Sequence, residues 1–160
     1  MFLNIILAFS LPFFMACSNH TEPEIYLIPK GYVGIVNIVF NQKKGTPLKY
    51  ENGKRVYEIP SNGILLTQFE AEFGKVDREF FYFDEKGKRQ NLKIIRDYEI
   101  NEGSVNNKNE IAIYNQVTGV YGNENIPYQG FEVSSFDSLA NANGYNDFRK
   151  KIKEILHYDF

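Results

Sequence analysis

The stretch GYVGIVNIVF, residues 31–40, decides the fold reading. Val33, Ile35 and Val39 point one way, and Tyr32, Val36, Ile38 and Phe40 the other. A strand apolar on both faces is covered on both sides, so 31–40 predicts a central strand. Outward from it, turns alternate with shorter strands. NQKKGTP (41–47) reads as a loop and LKY (48–50) as the approach to a turn. Asn52-Gly53 is a tight-turn signal because both residues tolerate positive φ, and RVYEI (55–59) is its return strand. PSNG (60–63) is a further turn before the strand ILLT (64–67). QFEAEFGKVD (68–77) has no clear period. REFFYF (78–83), DEKGK (84–88) and RQNLKII (89–95) read as a second hairpin. NEGSVNNKNE (101–110) is a polar loop, and IAIYNQVTGVYG (111–122) and YQGFEVS (128–134) are two more strands.

The period changes at the end of the chain. In YNDFRKKIKEILHY, Phe148, Ile152, Ile155 and Leu156 fall at i, i+4, i+7 and i+8, which predicts an amphipathic helix at about 145–157 with a basic outer face. The whole predicts a mainly β protein: an antiparallel β-sandwich of about seven strands, with the C-terminal helix packed on one edge or face. No internal repeat stands out.

Composition bounds the rest. The 160 residues suffice for one domain, with 43% hydrophobic and 24% charged residues, a globular composition. The net charge of −2 and the absence of any basic run longer than RKK (149–151) argue against nucleic acid. A single cysteine excludes an internal disulfide framework, so the core must hold the fold, and 14 Phe and 11 Tyr supply it.

That cysteine sits at a sharp boundary. MFLNIILAFSLPFFMA (1–16) carries no charge and is too short to span a bilayer, and Pro12 interrupts it. SNHTEPE follows Cys17. The profile is a secretory signal, and it resembles a bacterial lipoprotein signal. The resemblance implies cleavage between Ala16 and Cys17 and lipidation of Cys17. Phe14, where Leu is commoner, and the lack of Lys or Arg before the apolar run depart from that pattern. The expected organisation is a signal over 1–16, a flexible tether over 17–24 and one domain over 25–160. Several acyl chains would anchor the protein to a membrane, the outer membrane in preference to the inner.

Three stretches carry a further resemblance: IPKGYV (28–33), IPSNGIL (59–65) and FFYFDEKGKR (80–89). The chain is similar to a family of uncharacterised, often lipid-anchored bacterial proteins that share IPxGYxG and IPxxGIL motifs. A looser likeness joins it to transthyretin-like and carboxypeptidase-regulatory-like sandwiches, which implies a binding or scaffolding module. Neither resemblance supplies a site.

The search for chemistry finds little. His20 and His157 are far apart, no serine lies in a G-x-S-x-G elbow, and GYVG is not a dinucleotide loop. No catalytic group, metal ligand set or cofactor is expected. Glu70, Glu72, Asp77 and Glu79 lie within ten residues and form the candidate binding loop, which as a cluster reads more simply as a solvated loop than as a Ca²⁺ site. The FFYF stripe (80–83) reads as core on both faces rather than an exposed platform, and Lys150, Lys151 and Lys153 as a solvated helix face. The expected function is therefore a lipid-anchored, non-catalytic envelope module. It would contact the membrane through Cys17 and bind an unidentified protein, peptide or glycan. Two alternatives stand beside it: an inhibitor or immunity-type lipoprotein against an envelope-active toxin or hydrolase, and a hydrolase using carboxylates such as Glu70 and Asp77 as acid and base.

Overall fold

The computed structural model describes residues 21–122 and 125–157. Nine strands form two facing sheets, and a helix covers the outside of the second. The strands are β1 (Glu24–Pro29), β2 (Gly34–Val39), β3 (Tyr50–Glu51), β4 (Lys54–Glu58), β5 (Ile64–Leu66), β6 (Arg78–Phe83), β7 (Arg89–Asn91), β8 (Ala112–Tyr121) and β9 (Ile126–Ser134). A short helix α1 (Asp97–Asn101) lies between β7 and β8, and α2 (Ala142–Leu156) ends the described fold. The first sheet runs β3-β4-β1-β6-β7 and the second β5-β2-β9-β8. β2 is central and covered on both faces, as its alternation requires.

The sheets are mixed, which corrects the purely antiparallel expectation. β1 pairs parallel with both β4 and β6, and β2 parallel with β5. The cause lies in two corners. β1 ends at Pro29, and the Tyr32 N–H closes a turn onto the Pro29 carbonyl at 2.9 Å. β4 leads to Pro60, and the Gly63 N–H closes the same kind of turn onto the Pro60 carbonyl at 2.9 Å. Each corner sends the chain across to the opposite sheet and not back beside its predecessor. A strand pair that crosses twice in the same sense lies parallel in both sheets. This is an internal repeat: IYLIP (25–29) and VYEIP (56–60) lie side by side with Ile25 opposite Val56 and Tyr26 opposite Tyr57.

The core lies between the sheets. Tyr57, Tyr26 and Phe80 stack in a row across β4, β1 and β6, with ring centres 5.1 and 4.5 Å apart. Phe131 of β9 meets Tyr26 and Phe80 edge-on. Val36, Ile38, Ile113 and Val133 complete the opposite wall. Offset and edge-on rings add to their area burial about 0.5–1.5 kcal/mol per pair. The FFYF stretch divides by alternation. Phe80 and Tyr82 enter this core, while Phe81 and Phe83 lie half-buried on the outer face with Ile25, Leu27 and Val56. Ion pairs Lys54–Glu79 and Arg89–Glu51 flank that outer patch, and the Arg89 guanidinium lies over the Phe81 ring.

Helix α2 lies on the outer face of the second sheet. Asn141 caps it, its Oδ1 accepting from the Gly144 N–H at 3.1 Å, and His157 ends it in the left-handed region. Ile152 and Leu156 are buried against Val39, Ile64, Tyr121 and Ile126, with Phe148 partly buried beside them. Ile155, expected in the same stripe, is instead exposed, so the seam between helix and sheet is carried by Phe148, Ile152 and Leu156.

The tether expected over 17–24 ends sooner. Thr21 donates to the Lys75 carbonyl at 2.6 Å, the Glu22 N–H to Glu72 at 2.8 Å, and the Pro23 carbonyl accepts from Arg55 N–H at 2.9 Å. Glu24 is already in β1 and buried. Ala16, Cys17 and the expected signal lie outside the described residues.

Candidate functional site

The four carboxylates of the expected binding loop do not converge. Arg55 of β4 gathers the loop instead. Its Nε donates to Glu22 at 2.6 Å, its Nη2 to Glu72, and its Nη1 to the Glu70 carbonyl at 2.7 Å. The guanidinium also lies 5.0 Å over the Phe69 ring. Glu79 pairs with Lys54 at 2.7 Å across the first sheet. Glu70 and Asp77 line two separate depressions, so the fold does not bring them together as an acid and base. Among the described residues no three His, Cys, Asp or Glu side chains are placed to hold a metal.

These pairs give the fold an acid sensitivity with a definite sign. The Arg55 hydrogen bond holds the Glu22 carboxyl below the usual carboxylate range, and the Arg89 bond does the same for Glu51. Both carboxyls take up protons more readily in the unfolded chain. Their contribution is full above the ordinary carboxylate range and is lost as pH falls through the lowered folded values. Urea midpoints should therefore fall between neutral pH and about pH 3. The drop should shrink in the Glu22→Gln, Glu51→Gln double variant; an unchanged drop would place the acid sensitivity elsewhere.

A concave feature with converging polar groups lies under α2. A slot of about 210 Å³ opens between the helix and the faces of β2, β9 and β8. Its floor is Asn37 and Gly130, its walls Val117, Tyr121, Tyr128 and Phe148, and its rim Asn115, Tyr145 and Arg149. The local sequence explains each placement. Asn37 is the one polar residue of GIVNIV, and alternation sets it on the helix side of β2. Gly130 leaves the floor open: a Cβ there would lie 3.2 Å from Val117 Cγ1 and 3.5 Å from Asn37 Nδ2. The pairing of β8 with β9 shifts register between Tyr114 and Val117, and Asn115 takes φ 51° in that bulge. The bulge aims Asn115 at the rim.

Glu132 of β9 moors the helix at this rim. It is buried, and three neutral donors reach it: the Ala140 N–H at 2.6 Å, the Tyr145 hydroxyl at 2.7 Å and Asn115 Nδ2 at 3.2 Å. Asn115 Nδ2 also donates to the Tyr145 hydroxyl at 3.0 Å. Burial, with the Glu132 hydrogen bond, pushes the Tyr145 phenol up to about 12, so it remains a neutral donor at physiological pH.

The floor is different. Asn37 Nδ2 donates to the Tyr121 hydroxyl at 2.8 Å, and the Tyr121 ring stacks on Tyr128 with centres 4.0 Å apart. Asn37 Oδ1 is buried and has no partner among the described residues. An unsatisfied buried acceptor costs about 1–3 kcal/mol, so a group that donates to it is favoured there. Arg149 forms no ion pair among the described residues. The slot holds no nucleophile paired with a base. The slot offers apolar and aromatic walls, amide and phenol groups, and one guanidinium.

The sequence marks none of these slot residues as a binding group; Phe148 stands out only as part of the apolar stripe of the helix and Arg149 only within RKK. Asn37 carried a signal, as a lone polar residue in a strand otherwise apolar on both faces. Its partner Tyr121 is 84 residues away, and the α2 rim is visible only once the helix is placed.

A crystal structure at 2.75 Å of a candidate lipoprotein from Bacillus anthracis has a similar fold, with a TM-score of 0.60 and 18% identity over 86% of this chain and 94% of that one. No curated protein matches the chain. Residues 20–142 match the family of unknown function DUF6843, a stretch that includes both sheets and stops where α2 begins, and the chain belongs to that family.

Proposed function

We propose that this protein is a lipid-anchored, non-catalytic binding module of the cell envelope, which holds its ligand in the slot beneath α2. Asn37, which lines the floor of that slot and whose buried Oδ1 has no partner among the described residues, carries the reading. The separation of Glu70 from Asp77 removes support from the carboxylate hydrolase alternative. The anchor reading rests on the sequence around Ala16 and Cys17, and the Bacillus anthracis protein of similar fold, itself described as a candidate lipoprotein, agrees with it. The pinning of Thr21 and Glu22 to the 68–77 loop sets the tether's reach. Four residue steps separate Cys17 from Thr21, at most about 14 Å of extended chain. The β1 entry end of the domain then faces the lipid.

The anchor is tested by Cys17→Ser. The variant should leave the membrane fraction or retain its signal, with the mass of the mature protein changed accordingly. Unchanged membrane attachment and mass would overturn the anchor.

A further inference from the structure

We propose that the slot takes one hydroxylated ring bearing a single negative charge, the terminal residue of an acidic glycan. This deepens the binding function proposed above and rests on it. Four observations lead there. Apart from Arg149, the polar side chains of the slot are amides and phenols, each able both to donate and to accept, as a sugar hydroxyl also does. Asn37 lines the floor, and its buried Oδ1 has no donor among the described residues, which a hydroxyl supplies. Arg149 at the rim is without an ion pair among the described residues, and no Asp or Glu lines the slot to repel an anion. Glu132 lies behind Tyr145 and Asn115, with both its oxygens engaged.

Size and topology select a ring over a peptide. The slot, about 210 Å³, is below the range of drug-sized pockets and suits one ring. It opens over the face of the second sheet, where β2 and β8 are both laddered to β9. A peptide lying over that face meets no strand edge; the free edge of the sheet on this side is the outer side of β8, beyond the floor of the slot.

The test is a titration of the full mature protein, held in detergent micelles, with glucuronate, glucose and tetra-alanine, followed by ligand saturation-transfer NMR. Glucuronate should bind more tightly than glucose. Arg149→Gln, a change on the exposed rim, should weaken glucuronate about tenfold and leave glucose unchanged, as loss of one charge-assisted contact requires. Gly130→Val, which fills the floor, should abolish both. Glucuronate binding that ignores Arg149→Gln overturns the anionic ring. Tetra-alanine binding that Gly130→Val removes, without sugar binding, overturns the glycan class and keeps the slot as a binding site. Binding of none of the three overturns both the inference and the slot.

Discussion

Replacing Arg78 by Met is expected to lower the free energy of unfolding by about 3–5 kcal/mol. Arg78 is the cation that holds Glu24, a carboxylate only 2% exposed at the edge of the inter-sheet core. Its Nε donates to Glu24 Oε2 at 2.9 Å. The other groups on Glu24 are phenols: the Tyr26 hydroxyl, and the Tyr57 hydroxyl at 3.3 Å. Arg55 sits opposite Glu24 on β4, but its guanidinium is committed to Glu22 and Glu72. Removing Arg78 therefore leaves a buried charge with neutral partners only, and the desolvation cost of that charge falls on the folded state. The cause can be separated from lost packing. Glu24→Gln added to Arg78→Met removes the stranded charge and should recover most of the loss. Urea unfolding of the two singles and the double measures it. A single Arg78→Met variant within about 1 kcal/mol of the parent would show that Glu24 does not depend on the pair.

The same pair explains why β1 was not legible in the sequence. Glu24 closes the polar run SNHTEPE and reads as tether, because nothing local says that a charge there is buried. Its counter-ion is 54 residues away. β2 lacked that problem: its alternation lies within ten residues, so its central position was visible. Parallel pairing was hidden for another reason. A Pro-led turn that reverses a strand and one that carries it to the opposite sheet use the same residues, and PSNG reads from sequence only as a turn. The repeat of IYLIP and VYEIP is short, and two of its five positions differ, Ile25/Val56 and Leu27/Glu58, so it stands out only once the strands lie side by side. The helix was legible from its period, whereas the slot beneath it is made where α2 meets a bulge in β8, and no local pattern encodes that meeting. The carboxylate cluster shows the converse. Four acids close in sequence are divided among Arg55, Lys54 and two different depressions.

Gly63→Ala should cost about 2–5 kcal/mol, combining left-handed strain with overpacking. Gly63 ends the IPSNG turn at φ +77°, and a Cβ there would lie 2.1 Å from the Tyr32 hydroxyl and 2.5 Å from the Ile35 carbonyl oxygen. Tyr32 belongs to the other corner, IPKGY, so the two corners of the repeat pack on each other at this point. Neither side can give way cheaply. The Tyr32 hydroxyl donates to the Ile35 carbonyl at 2.6 Å, and swinging it aside breaks that bond. The Gly63 carbonyl accepts the Asn37 N–H at 2.8 Å, which ties the turn to β2. Gly53→Ala is the matched comparison. Gly53 has the same φ, +77°, but open space around its missing Cβ. It should show the backbone strain alone, about 1–2 kcal/mol. Tyr32→Phe combined with Gly63→Ala removes the nearer clash and leaves the carbonyl one, so the double should fall between the two. Equal losses for Gly63→Ala and Gly53→Ala in urea unfolding would mean that the corners do not constrain each other. Because the Gly63 carbonyl holds the backbone of Asn37, a strained corner also moves the floor of the slot. Gly63→Ala should then weaken ligand binding even at temperatures where the variant remains folded, and Gly53→Ala should not.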